Sequence, residues 1–351
     1  MNQRENLLRA MSRKGAPEFV PYHFTLCDSQ KERMKAETGT DDYERYFDLS
    51  ARFISIAPTR HKNDYSRYHS HLPEKAFIDE WGVGQEPGSI AHFTRMYHPM
   101  EGFESPEEVY EYPYPDMLED YRWEPVCRQV EKAHEDGAAA VFMAVQVFEP
   151  AWYLRGMEQM MMDMLCDEEM AKACLERMTQ FQEKITRRAV RAGMDIIVFG
   201  DDVGSQRDMM MAPQLWRKWL KPTMSTVIAA AKEENPQVLA YYHSDGVTSP
   251  IIPELIEIGV DILNPVQPEC MDPAEVKRLY GDKLSFWGTV GTQTTMPFGT
   301  PEEVRRVVKE RIETVGAGGG LCLAPTHLLE PEVPWENIVA FVEAAREFGK
   351  Y

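Results

Sequence analysis

From about residue 119 to the end, the chain alternates between apolar runs of strand length and stretches with helical periodicity. Few folds accommodate that pattern, because each short buried strand must be followed by a helix that covers the sheet and returns the chain. A helix over 119–136 leads to a strand at 139–145, and helices across 152–193 lead to 195–199. A helix at 213–234 leads to 238–242, one at 251–258 to 261–263, one at 272–280 to 284–287, and one at 301–315 to 320–323; a helix over 335–348 closes the chain. With apolar runs at 20–26 and at 53–57, the second ended by Pro58, the pattern predicts eight strands. Eight βα repeats of this length predict an α/β fold, a (β/α)8 TIM barrel. A doubly wound open sheet is the alternative, and the lack of a glycine-rich phosphate loop after the first strand weighs against it.

Residues 60–118 break the rhythm. Segments 77–82 and 90–96 are expected to form a hairpin around a turn at 86–89, and Pro113, Pro115 and Asp116 lead back to a helix. This predicts an inserted excursion after strand 2, near the barrel mouth, within a single domain spanning 1–351.

At 351 residues the length suits one barrel, and a net charge of −19 argues against nucleic acid or an anionic membrane as the main partner. Six cysteines without a C-x-x-C pair, a polar start with no apolar signal core and no membrane-length apolar run predict a cytoplasmic protein with free thiols. The methionines around 157–164 read as adaptable core packing, or as a soft wall for a large flat ligand.

Sites in such barrels lie at the carboxyl ends of the strands, and here those ends are polar. The fifth strand runs into His243-Ser244-Asp245-Gly246 and the eighth into Thr326-His327. Two histidines and an aspartate from separate strand ends form a candidate metal set, as catalytic zinc sites do. Asp202 and Glu149 are candidates for acid–base work, with Gln206 beside them. One of Asp201 and Asp202 is expected only to cap a turn. His23, Tyr242, Gln267, Gln293 and Trp81 are candidates for touching substrate. His23 also reads as a hydrogen-bonded core histidine, and the two glutamines as plain loop amides.

The His-x-x-Gly after strand five, the stretch Ile256-Glu257-Ile258-Gly259-Val260-Asp261-Ile262-Leu263-Asn264-Pro265, the helix start Gly299-Thr300-Pro301-Glu302-Glu303-Val304, and Ala324-Pro325 followed by Pro334-Trp335-Glu336-Asn337-Ile338 belong together. This C-terminal third resembles the uroporphyrinogen decarboxylase superfamily and, within it, the corrinoid-linked methyltransferases. Weaker traces are Asp79-Glu80-Trp81-Gly82 and Tyr114-Pro115-Asp116. The decarboxylases carry an Arg-Gln-Ala-Gly-Arg motif after the first strand that meets the porphyrinogen carboxylates. Residues 22–28 here read Tyr-His-Phe-Thr-Leu-Cys-Asp, with no arginine, which argues against that reaction.

The thiol-methylating branch holds zinc through His-x-Cys on strand five and a later Cys. The resemblance puts His243, Asp245 and His327 at those positions, with the fourth place open to water or substrate or loosely filled by Glu149 or Asp202. With a carboxylate and an imidazole in place of two thiolates, less negative charge falls on the metal, which then stays a stronger Lewis acid for an oxygen ligand, so an ether or phenolate oxygen fits better than a thiol. The implied function is a cobamide-dependent methyltransferase of an O-demethylase system, moving a methyl group from a methyl ether to a corrinoid protein with zinc as Lewis acid. No Asp-x-His-x-x-Gly motif is present, so the corrinoid comes from a partner protein. The superfamily suggests a homodimer. The alternatives are a decarboxylase or other lyase acting on a non-porphyrin carboxylated substrate, and a non-catalytic tetrapyrrole- or corrinoid-binding barrel.

Overall fold

Seven of the apolar runs form parallel strands in the computed structural model, which describes residues 1–15, 17–88 and 94–351. In chain order the strands are β1 (Ala51–Ile54), then β2 (Phe77–Ile78), β3 (Gly84–Pro87) and β4 (Thr94–Tyr97), then β5 (Ala139–Val145), β6 (Ile196–Gly200), β7 (Leu239–His243), β8 (Ile262–Asn264), β9 (Ser285–Trp287) and β10 (Leu321–Cys322). The larger sheet has the order β1-β5-β6-β7-β8-β9-β10, with every neighbouring pair parallel. Helical crossovers between consecutive strands make that order possible, since parallel neighbours cannot be joined by a hairpin.

Segment 20–26 departs from the expected strand. It makes isolated parallel bridges, Tyr22 to Leu323 and Leu26 to Leu329, and the Tyr22 carbonyl accepts the Ser50 N–H at 3.4 Å. Pro21 explains part of this, because proline has no N–H to give a ladder. Residues 51–54, not 53–57, pair with 139–142. Ala57 instead exchanges hydrogen bonds with Arg122, which donates from Nε to its carbonyl at 2.8 Å.

Within 60–118, β2, β3 and β4 form a separate antiparallel sheet. The turn differs from the expected one: Glu86 and Pro87, expected to turn, pair with Arg95 and Thr94 in the β3–β4 ladder. The tight turn lies earlier, at Asp79–Gly82. The Asp79 carboxylate accepts the N–H groups of Trp81 and Val83, and Gly82 supplies a φ of +87°. The rest of the expected second strand, 90–93, and the last residue of the expected turn, Ser89, lie outside the described residues.

Alternate strand residues face opposite ways, which gives two cores. Ala51, Val141, Ile196, Val198, Leu239, Tyr241, Ile262 and Trp287 point into the sheet's concave side. The amino-terminal helix Gln3–Ser12, begun by a capping box from Asn2 and Glu5, plugs that side with Leu7, Ala10 and Met11. Each large side chain buried this way contributes about 1.5–3 kcal/mol. Ile197, Phe199, Ala240, Tyr242, Leu263 and Phe286 point outward against the helical layer. Among the described residues no helix is long and apolar enough to cross a membrane.

Candidate active site

Strands β6, β7 and β8 end level with one another, with Gly200 opposite His243 and His243 opposite Asn264. That register sets the site. The Asn264 side-chain amide donates from Nδ2 to the Trp287 carbonyl at 2.7 Å, which leaves its Oδ1 facing His243 Nδ1 at 2.6 Å. A proton on Nδ1 satisfies that contact, and in that tautomer Nε2 keeps its lone pair free. Nε2 stands 3.9 Å from Asp202 Oδ1. The same Asp202 oxygen accepts the Asp245 N–H at 2.8 Å. One ligand atom each from Asp202, His243 and Asp245 lies within 4.8 Å of the others. Ligand pairs around a tetrahedral zinc with bonds of about 2.1 Å stand about 3.4 Å apart, so small movements would close this trio on an ion.

Two glycines allow the loops to approach. A Cβ on Gly204 would lie 2.3 Å from the Asp245 carbonyl, and one on Gly246, whose φ is +77°, would lie 2.5 Å from the Ser205 carbonyl. The buried Gln267 accepts the Gly246 N–H through Oε1 at 3.1 Å.

Further carboxyls crowd the same place. Asp201 is buried and accepts the N–H groups of Val147 at 3.1 Å and Glu149 at 2.8 Å, holding the start of the helix Phe148–Arg155. Burial pushes its carboxyl up to about 7, against the pull of those N–H groups. Burial, then the charges of Asp201 and Asp202, push Glu149 up to about 8. Its Oε1 accepts the Tyr153 hydroxyl at 3.4 Å. Asp245 is also raised, first by burial, with His243 and His327 opposing and Asp202 adding to the rise. This cluster disfavours its own full ionisation, and a bound dication would relieve it.

A cavity of about 470 Å³ opens beside the cluster, walled by His243, Asn264, Gly200 and Gln146 and by the rings of Phe24, Phe53, Tyr241 and Trp287. His327, exposed after β10, stands on its rim. No lysine or arginine is among the lining residues. His23 lies in the wall, buried, between the rings of Phe53 and Trp287. Burial lowers its pKa to about 3, so the ring is neutral. Nε2 is sealed without a hydrogen-bond partner, which a buried imidazole rarely tolerates.

The predicted residues thus divide. His243, Asp245 and Asp202 converge, with Glu149 within electrostatic reach, while His23 and His327 line the cavity. Tyr242 packs against the helical layer within the field of Asp201, Asp202 and Glu149, while Tyr241, two residues before His243, faces the cavity. Gln267 ties a loop, Gln293 is exposed, and Gln206 is exposed and accepts a hydrogen bond from Cys270 at 3.5 Å. Trp81 lines a second cavity. Asn264 was not singled out from the sequence, although it ends β8 at the level of His243.

A parallel α/β sheet with its polar cluster at the carboxyl ends of the strands defines the class of barrel-like proteins whose sites lie on that face. The chain belongs to the uroporphyrinogen decarboxylase family: the family model described as "Uroporphyrinogen decarboxylase (URO-D)" matches residues 98–348. Among curated relatives, methylcobamide:CoM methyltransferase MtaA of Methanosarcina barkeri is 28% identical over 45% of this chain and 43% of its own length. The methylated-thiol–coenzyme M methyltransferase of Methanosarcina mazei is 24% identical over 70% of this chain and 63% of its own. The chain therefore spans less than two thirds of the length of these relatives. A solved methyltransferase from Methanosarcina mazei shares the fold, with a TM-score of 0.72 over 99% of both chains at 18% identity.

Proposed function

We propose that the protein is a methyltransferase that takes a methyl group from a methyl ether oxygen and delivers it to a corrinoid on a separate protein. The observation that carries this reading is the free Nε2 of His243, fixed by Asn264 and facing two carboxylates at the edge of a cavity without cations. His243 and Asp245 would hold a zinc ion, with His327 as third ligand from the rim and Asp202 filling the fourth place loosely. Zinc there supplies Lewis acidity to an ether oxygen.

The remaining work falls to the chain. Phe53, Tyr241 and Trp287 exclude water and seat the apolar end of the ether. His23, neutral and buried between Phe53 and Trp287, keeps that wall free of charge. Glu149, protonated at neutral pH, holds the proton a departing alkoxide or phenolate needs. The cation-free wall does not suit a carboxylated substrate, which disfavours the lyase reading. In the same reading the whole chain is one domain, segment 20–26 closes the sheet as the eighth stave, 60–118 forms an excursion beside the mouth, and the protein acts in the cytoplasm as a homodimer.

The test is methyl transfer from methoxybenzene or an alkyl methyl ether to free cob(I)alamin, with zinc-loaded protein and His243→Ala as control. Transfer dependent on His243 supports the reading; transfer from neither ether, or transfer unaffected by the substitution, refutes it.

A further inference from the structure

A second cavity of about 300 Å³ lies between the small antiparallel sheet and the helix Glu168–Arg191. That is about twice the volume that accommodates a benzene ring in an apolar core. It shares Met143 and Gln146 with the mouth cavity, so the two meet at the end of β5. Its walls are mainly apolar, with Trp81 from the small sheet and Met117 from the end of the same insertion, and no lysine or arginine among the lining residues. Tyr153, which donates to Glu149, stands between it and the acidic cluster.

Its most telling polar group is Gln182. The residue is buried in the middle of that long helix and lines the cavity, yet its Oε1 has no hydrogen-bond partner. Leaving a buried amide unpaired costs about 1–3 kcal/mol. A leucine at this position would pack there without that cost. Asp79, by contrast, is fully engaged by Trp81, Val83 and Gln85. The cavity therefore offers mainly apolar walls, the unpaired amide of Gln182 at its helix side and the amide of Gln146 where it meets the mouth, a combination that selects an uncharged ring bearing a hydroxyl.

We infer that this side cavity binds the non-reacting end of the substrate, an uncharged ring carrying a hydroxyl group that pairs with Gln182. Resting on the reading of the mouth as the reaction centre, this makes the substrate an elongated neutral ether. One end lies over His243, and the other reaches past Met143 under the small sheet. Binding energy from that distant end serves to position the reacting end.

The experiment uses full-length protein stripped of metal, with phenol, toluene and benzoate as fragment probes followed by ligand-observed NMR titration. Phenol binds and benzoate does not. Gln182→Leu weakens phenol at least fivefold and leaves toluene within twofold, with an unchanged or higher melting temperature. Met117→Trp, which fills the side cavity, abolishes phenol binding, whereas Tyr241→Ala, in the mouth, leaves it intact. Phenol affinity indifferent to both Gln182→Leu and Met117→Trp, or lost only in Tyr241→Ala, overturns the inference, as does benzoate binding as tightly as phenol. Because no metal or corrinoid is present, these results stand apart from the methyl-transfer assay: failure of zinc binding with phenol behaving as stated would refute the proposed reaction and leave the subsite.

Discussion

Asn264 sets the chemistry available to His243: its Oδ1 lies 2.6 Å from Nδ1, while its own Nδ2 is tied to the Trp287 carbonyl at 2.7 Å. The amide cannot turn over without breaking the second bond. The proton is therefore held on the far side of the ring from Asp202 and Asp245. Partners of this kind typically raise metal affinity 10- to 100-fold. Asn264→Leu should fold, lose zinc affinity by about that factor and be matched or exceeded in affinity by Asn264→Asp. Competition against a chromophoric chelator measures it, and an unchanged affinity in the leucine variant would show that the pair is only packing.

Glu149 should leave a mark on stability. Its folded value, about 8, lies above the ordinary carboxylate range because of burial and its acidic neighbours. Between those two values the native chain keeps a proton that the unfolded chain has released. The stabilisation is thus fully present below the ordinary value and is lost as pH rises through about 8. One such proton gives a slope of about 1.4 kcal/mol per pH unit. Glu149→Gln, permanently neutral, should lack that share. Urea unfolding of metal-free protein at pH 5.5 and 7.5 should show the variant gaining roughly 1–3 kcal/mol on the wild type over that interval. Parallel pH dependences would mean that Glu149 is already ionised.

The two tyrosines of β7 should behave oppositely. Tyr241 walls the mouth cavity and Tyr242 packs outward. Tyr241→Ala should weaken methoxybenzene binding at least tenfold, and Tyr242→Phe should leave it unchanged. Equal effects would contradict the assigned register.

Gly246 joins fold to site. An alanine there must adopt a φ of +77° and press its methyl group against the Ser205 carbonyl. The expected cost is about 1–3 kcal/mol, together with weaker zinc binding, because Asp245 is the preceding residue. Gly102→Ala, with nothing within 4 Å of its Cβ, serves as the neutral control. Thermal melts of both variants decide the matter.

Much of this was legible in the chain. The parallel strands from 139 onward follow directly from apolar runs bounded by helix signals, since burial on both faces leaves strong traces. Strand ends carrying His243, Asp245 and Asp202 were legible for the same reason. What escaped has physical causes. Segment 20–26 is apolar enough to be a strand, but Pro21 and a few isolated bridges do not make a ladder. The turn at Asp79–Gly82 was hidden among apolar neighbours, and its Asx hydrogen bonds exist only once the chain bends. Period-two alternation counted back from His243 puts Tyr241, not Tyr242, on the cavity side of β7. Asn264 gives no local signal, because its role lies in a partner on the adjacent strand. The elevated carboxyls of Asp201 and Glu149 arise from burial, which spacing does not report.

Metal content of the purified protein decides whether the cluster around His243 is a zinc site, measured on the wild type and on His243→Ala after equilibration with limiting zinc. About one zinc per chain is expected in the wild type, with loss of that ion in the variant and both proteins equally folded by circular dichroism. A wild type free of stoichiometric metal, or a variant that retains it, would contradict the zinc-dependent reaction proposed for this chain.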